Sequence, residues 1–325
     1  VTLCVPTIGR VKYLPETRRS LSEQTFKDLE ILILDNASPH EGAGMIAEWA
    51  AADSRVQILR SDARLPMFEN FNRGIHAAQG EYLAFCHDDD EYAPGFVSRS
   101  VAFLDAHPSV GLCGSNLVFI DKDGVVLERR GHARHDSVRS GTSFALRILA
   151  TGRNTIVMPS IFYRKSAIPT EGLDTGLSMH FGDFVFLMRM AENGGIGIVG
   201  AELVRIRKHD DQASGGAPMS EQIPFRTQIL SSYCDEFAHR YPDKDTLVAG
   251  MRAAGALGHR TSLLWGWMIA ANDAEASSCV EGLKDGLVDR AIGTSLRTLA
   301  NLGLRPRKAP KLLKVAKGIA ARAGL

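Results

Sequence analysis

Three aspartates in a row, Asp88-Asp89-Asp90, follow His87 and the apolar run Tyr82–Cys86. Carboxylates crowded at the end of a buried strand repel one another, and their pKa values rise unless a cation sits among them. Hard oxygen ligands favour Mg2+ or Mn2+, ions that keep open positions for phosphate oxygens. The plain alternative is a solvated loop that caps a helix starting near Pro94. Position separates the two readings. Thr7 follows the apolar run Val1–Pro6, and Asp35 and Asn36 follow Ile31–Leu34. Separate strands that deliver polar groups to one rim are what a ligand site in an open α/β sheet requires.

The elements that would hold these residues can be read from the apolar pattern. Val1–Pro6, Ile31–Leu34, Val56–Leu59 and Tyr82–Cys86 have strand length and are continuously apolar. Helical spacing fills the gaps at Tyr13–Thr25, Glu41–Ala52 and Met67–Ala78. Strand and helix in alternation, with unbroken apolar strands, predict a mainly parallel sheet covered on both faces, an α/β fold. Farther on, Asn116–Glu128 reads as a hairpin turning at Asp121-Lys122-Asp123-Gly124. Ser143–Thr151 reads as a helix capped by Ser143, and Asp183–Glu192 as a helix stopped by Asn193-Gly194-Gly195. Ile196–Val199 and Leu203–Ile206 are expected as two strand stretches, and a polar, Gly-rich loop follows over 209–218. From about Ser220 the pattern is helical throughout, which places a boundary there.

Composition sets the outer limits. The chain has 325 residues, 45% hydrophobic and 23% charged, enough for a sizeable core and one large or two smaller domains. No apolar run reaches the roughly 18–20 residues that span a bilayer. Val1–Pro6 lacks a basic flank and is not expected to act as a signal peptide. Five cysteines without a CxxC pair fit free thiols in a reducing cytoplasm better than disulfides or zinc. The net charge of +1 hides an asymmetry. All 37 acidic residues but only 31 of the 38 basic ones lie before Leu302, leaving that body at a formal −6. A negative body argues against nucleic acid as a partner.

Several motifs in order resemble the family 2 glycosyltransferases. They are the Pro6-Thr7 loop, Asp35-Asn36-Ala37-Ser38, Asn72-Arg73-Gly74-Ile75, and Gly80-Glu81-Tyr82-Leu83-Ala84-Phe85 running into the aspartates. The resemblance spans Val1 to about Ser214, and the ordered spacing makes it specific. It implies a GT-A fold, with residues 1–115 as the nucleotide-sugar half, 116–219 as the acceptor half, and 220–325 as a helical extension. Thr7, Asp35 and Asn36 are then expected at the nucleoside. The family's Asp-x-Asp metal motif falls on His87-Asp88-Asp89, so its first aspartate is histidine here. Asp89 becomes the leading metal ligand with Asp90 beside it, Asp88 lies near the ribose or the metal's water shell, and the part of His87 stays open. An Asp-Asp-x5-Arg-like pattern over His180–Arg189 puts Asp183 where the family has its base, against the plain reading of a helix cap. In Arg205–Ser214, His209 is expected at the metal or the diphosphate, and Arg207 and Lys208 beside the charge of the leaving group.

The resemblance therefore implies an inverting transferase that uses Mn2+ or Mg2+ and a uridine- or thymidine-diphosphate sugar. The acceptor would be a glycan or a lipid-linked sugar. The rivals are a sugar-nucleotide nucleotidyltransferase and a non-catalytic nucleotide-sugar binder. Against the first, Thr7-Ile8-Gly9-Arg10 is too sparse for that class's Gly-rich basic loop. Trp265 and Trp267 lie in a helical apolar stretch and read as core. After Pro310, Leu312, Val315, Ala316 and Ile319 recur at helical spacing among lysines. That basic tail suits an anionic membrane at the cytoplasmic face, or packing on the protein's own helices or a second subunit.

Overall fold

The computed structural model describes residues 1–131, 133–151, 154, 156–177, 182–192, 194–210 and 231–269. The Gly-rich loop from residue 211, the helical expectation beyond 269 and the basic tail lie outside them.

The first half repeats strand and helix: β1 (Thr2–Thr7), α1 (Leu14–Ser22), β2 (Glu30–Asp35), α2 (His40–Ala52), β3 (Val56–Ile58), α3 (Met67–Ala77) and β4 (Tyr82–Phe85). β1, β2 and β4 are buried at almost every position, because their unbroken apolar runs allow layers on both faces. Pro15 sits in the first turn of α1, and Pro39 and Pro66 precede α2 and α3, where a fixed φ favours helix entry. α3 turns Phe68, Phe71 and Ile75 inward at helical spacing. Gly74 shares that face. A Cβ there would meet Leu34 at 2.7 Å and Cys4 Sγ at 3.1 Å, so only glycine lets α3 settle this close to β1 and β2.

β5 (Glu91–Tyr92), α4 (Phe96–Ala106), β6 (Leu112–Ile120), β7 (Val126–Arg130), β8 (Ser137–Ser140), α5 (Gly141–Thr151), β9 (Ile161–Arg164), α6 (Gly182–Ala191) and β10 (Gly195–Arg207) follow. The ten strands form one sheet in the order β3-β2-β1-β4-β9-β6-β10-β5, with β7 on β6 and β8 on β10. Six of them, β1 to β4, β6 and β10, run in one direction; β5, β7, β8 and β9 run against it. The expected α/β fold with a mostly parallel sheet flanked by helices is therefore present.

Local differences have local causes. The two stretches expected at 196–199 and 203–206 are one strand, β10, whose register on β6 shifts between Val199 and Val204. α5 begins at Gly141, two residues before the expected cap, and the Ser143 N–H points to Ser140 Oγ at 3.4 Å. The aspartates do not cap α4, whose start at Gly95 has no side-chain cap; β5 intervenes. The hairpin forms as expected, with Gly124 at φ +84°.

The chain divides into two compact units. The first, Val1–Phe144 with Thr155–Gly215, contains the whole sheet. The second, Ala145–Asn154 with Gly216–Leu325, contains α7 (231–240) and α8 (Asp245–Ile269). Tyr233 and Phe237 of α7 and Tyr241 just past its end meet in tilted ring contacts, and Arg252 of α8 pairs with Asp235. α8 covers Trp265 and Trp267, but their side chains lie outside the described residues. Cys4, Cys86, Cys113 and Cys234 are buried free thiols. Among the described residues no helix is long and apolar enough to cross a membrane.

Candidate active site

β1, β2, β4 and β10 all end on the same rim of the sheet, and each delivers part of the site. β1 ends at Thr7, whose Oγ1 donates to Asp88 Oδ2 at 2.6 Å and accepts the Gly9 N–H at 2.9 Å. Gly9 has φ +77°, and a Cβ there would lie 2.7 Å from Ser38, so the loop can turn tightly only with glycine. The turn carries Arg10 back over the rim to Asp88 Oδ1 (3.1 Å) and Asp89 Oδ2 (3.5 Å).

The end of β2 is a strained turn. Ala37 adopts φ 55°, and Asp35 Oδ1 accepts the Ser38 N–H at 2.9 Å. The other oxygen of Asp35 is paired with Arg60, a half-exposed side chain lying against a buried carboxylate. Asn36 has both ends of its amide on Leu65: Nδ2 donates to the carbonyl at 2.9 Å, and Oδ1 accepts the N–H at 2.7 Å. Of the residues expected at the nucleoside, Asn36 thus clamps the 61–65 loop, while Thr7 and Asp35 stand on the rim.

The end of β4 is the densest part. Asp88, Asp89 and Asp90 are 2%, 7% and 1% exposed, so their charges meet in a place poor in water. Burial, then the neighbouring Asp89, pushes the Asp88 carboxyl up, and the same two causes push Asp90 up further. Burial pushes the His87 imidazole down. The main chain is pinned around them. The His87 N–H donates to Tyr92 Oη at 2.8 Å, the Arg207 N–H to Asp90 Oδ1 at 2.9 Å, and Thr17 Oγ1 to the Asp90 carbonyl at 2.7 Å.

β10 brings the last two residues. His209 Nε2 lies 3.0 Å from Asp89 Oδ2, and its ring packs on Tyr13 at 4.8 Å. Arg207 differs from its expected place at the leaving group. It is 2% exposed, donates to the Asp89 carbonyl (3.1 Å), Glu91 (2.8 Å) and Glu16 (3.2 Å), and stacks over Tyr13. It buttresses the aspartates from behind.

Asp183 lies inside the first turn of α6, with Oδ1 enclosed. Its charge adds to burial in pushing the Tyr163 hydroxyl up. Tyr163 meets Phe85 edge-on (6.1 Å), Phe85 stacks on Phe71 (4.6 Å), and Phe71 approaches His87 (6.3 Å). A chain of rings thus runs from Tyr163, whose hydroxyl feels the Asp183 charge, to the acidic turn.

The residues fit a divalent cation. One ligand atom each from His87, Asp89 and Asp90 lies within 4.8 Å of the others. His87 Nε2, Asp90 Oδ2 and His209 Nδ1 are enclosed without a hydrogen-bond partner, a state buried polar atoms seldom keep. The sequence does not single out Arg10 or Arg60, and Arg64 reads from it as a surface arginine in reach of a pyrophosphate at most. Arg10 carried a signal, a cation three residues past a strand end in a glycine turn, whereas Arg64 reaches the Asn36 carbonyl (3.3 Å) only once its loop has folded back.

Comparison with known proteins bears on the family and the fold. The family described as "Glycosyl transferase family 2" matches residues 2–170. An uncharacterized glycosyltransferase of Methanocaldococcus jannaschii is 28% identical over 118 residues, 36% of this chain and 41% of the relative. A PGL/p-HBAD biosynthesis glycosyltransferase of Mycobacterium tuberculosis is 28% identical over 172 residues, 53% of this chain and 61% of the relative. The chain thus matches less than two thirds of the length of each of these two relatives. Among solved structures, S. aureus TarS 1-349 in complex with UDP-GlcNAc has a TM-score of 0.65 at 17% identity, over 87% of this chain and 79% of that one. The mannosyltransferase PcManGT from Pyrobaculum calidifontis, in complex with GDP-Man and Mn2+, has a TM-score of 0.54 at 16% identity, over 99% and 85%. The rim residues lie on a GT-A-type fold, and the family match covers just over half the chain: it belongs to glycosyl transferase family 2.

Proposed function

We propose that the chain is a glycosyltransferase that takes a uridine- or thymidine-diphosphate sugar and moves the sugar to a glycan or lipid-linked acceptor with inversion. The observation that carries the reading is the meeting of Asp89, Asp90 and His209 on the rim where β1 and β2 end. Residues 1–115 would hold the donor, 116–219 the acceptor, and 220–325 would form the helical extension. Thr7 and Asp35 would face the nucleoside, and Asp88 the ribose. Asp89, with Asp90 and His209, would hold Mn2+ or Mg2+, which when bound supplies positive charge at the diphosphate. Arg10 and Lys208, rather than the buried Arg207, would offset the remaining charge of the leaving group.

In the transfer, the acceptor oxygen forms a bond to the anomeric carbon as the bond from that carbon to the diphosphate oxygen breaks. The nucleoside diphosphate leaves with the bonding pair, and the acceptor proton goes to the Asp183 carboxylate on the opposite side. A thermal-shift screen of nucleoside diphosphates with Mn2+ identifies the donor base. Proton NMR of the first-formed product then reads the anomeric configuration, and retention would break the inverting reading.

The basic tail is proposed to dock on an anionic membrane at the cytoplasmic face, near a lipid-linked acceptor. Vesicle flotation at low and high salt, with the full chain and one ending at Leu304, tests this. Equal flotation of both, or of neither, leaves the tail to self-packing or a second subunit.

A further inference from the structure

The family's Asp-x-Asp pattern would place its two acidic residues at His87 and Asp89 here, with Asp88 between them. Asp88 is already engaged, one oxygen by Thr7 Oγ1 at 2.6 Å and the other by Arg10 at 3.1 Å. Coordination must therefore come from elsewhere on the turn. Asp90 is the first source. It is 1% exposed, its Oδ1 is held by the Arg207 N–H, and its Oδ2 has no hydrogen-bond partner and faces His87 Nδ1 at 3.9 Å. His87 is the second, with Nε2 enclosed and likewise without a partner. One ligand atom from each of these residues and from Asp89 falls within 4.8 Å of the others. In an octahedron with bonds of about 2.0–2.2 Å, neighbouring ligands stand about 3 Å apart and opposite ones about 4.3 Å. The ligand atoms stand somewhat wider than one ion requires and would draw together by side-chain rotation, while the main chain that carries them is already fixed at both ends of the turn.

The chemistry of the donor set then matters. Mg2+ takes oxygen ligands and gives up its water reluctantly, whereas imidazole nitrogen suits the transition ions. Replacing an acidic residue by His87 removes a negative charge and adds a softer donor, which weakens the site for Mg2+ more than for Mn2+. We propose that His87 is a ligand of the metal centre together with Asp89 and Asp90, and that its imidazole selects Mn2+ over Mg2+. This rests on the reading of the chain as a metal-dependent transferase.

The test measures metal binding directly on the full chain, with and without uridine diphosphate. Bound Mn2+ is followed by the loss of the free aquo-ion EPR signal, in competition with excess Mg2+. Pulsed EPR reads nitrogen coupling to the bound ion. Because His209 also offers a nitrogen, the coupling is compared in His209→Gln, where it should persist, and in His87→Asp, where a component should vanish. In His87→Asp the preference for Mn2+ over Mg2+ should fall on the order of tenfold. If His87→Asp melts early, His87→Gln serves for the coupling measurement. Unchanged coupling and an unchanged preference in the His87 variants overturn the proposal, as does a wild-type chain that binds no Mn2+ in either condition. Donor turnover that is lost on chelation and regained equally with either ion would overturn the role of His87 alone and leave the transferase reading standing.

Discussion

Two acidic turns leave the parallel strands β4 and β6, which β9 separates, on the same rim, and they behave in opposite ways. After β6, Asp121-Lys122-Asp123-Gly124 makes an ordinary hairpin turn. Asp121 Oδ1 accepts the N–H groups of Asp123 and Val125 at 2.9 Å each, and Lys122 pairs with Asp123 in solvent. These backbone donors hold the Asp121 carboxyl below its usual range. After β4, the three aspartates of 87–90 are buried, Asp88 and Asp90 are pushed up, and an oxygen of Asp90 has no donor at all. Arg207 touches both turns, through the Asp89 carbonyl at 3.1 Å and the Asp121 and Lys122 carbonyls at 3.5 Å. The number of carboxylates therefore says little about a metal site. What distinguishes the second turn is that its charges have been taken out of water and left short of partners.

The largest expected effect comes from removing the middle aspartate of that turn. Asp89→Ala should abolish Mn2+ binding and lower turnover on the order of 10³-fold or more, and chelation of the wild type should reproduce it. Full turnover after exhaustive chelation would make the two turns equivalent and break the comparison. Asp183→Asn should act differently. It keeps size and position in the first turn of α6 but cannot accept a proton, so donor affinity should stay within a few-fold of wild type. Turnover should fall on the order of 10²–10⁴-fold. Near-normal turnover would reduce Asp183 to a helix-start residue.

The difference between the turns was only partly legible in the sequence. The parallel half could be read because β1, β2 and β4 are unbroken apolar runs, and an apolar run ending in three aspartates is costly on its face. β9 could not, since its four residues pair with β4 and β6, partners that only the folded chain supplies. β5, two residues long, has no period to detect. In the site, Arg207 was visible as a cation but its burial was not, because Glu16 reaches it across 191 residues of sequence. Arg10 meets Asp88 across 78 residues for the same reason. Periodicity reports a residue's own element, and these contacts depend on loops from other strands closing over it.

A smaller effect tests whether the acidic turn is held as firmly as its contacts imply. Thr17 is fully buried and its Oγ1 donates to the Asp90 carbonyl at 2.7 Å. Thr17→Val keeps the shape and leaves that carbonyl without this donor, at a cost of about 1–3 kcal/mol. The denaturant midpoint should fall with an unchanged slope, and Mn2+ affinity should weaken several-fold. An unchanged midpoint would mean the turn tolerates slack.

The smallest effect belongs to the solvated turn. Asp121→Ala removes an acceptor used by two backbone N–H groups but no side chain assigned to the reaction, so turnover at pH 7 should match wild type. Its contribution to stability has a definite sign. The folded Asp121 carboxyl lies below its unfolded value near 3.9, so the stabilisation is complete above about pH 5. It is lost as pH falls through the folded value. Wild type and variant should therefore differ in unfolding midpoint at neutral pH and converge in acid. A difference that grows on acidification would show that Asp121 is held by something other than those N–H groups. A loss of turnover in this variant would extend the working acidic site from β4 to β6.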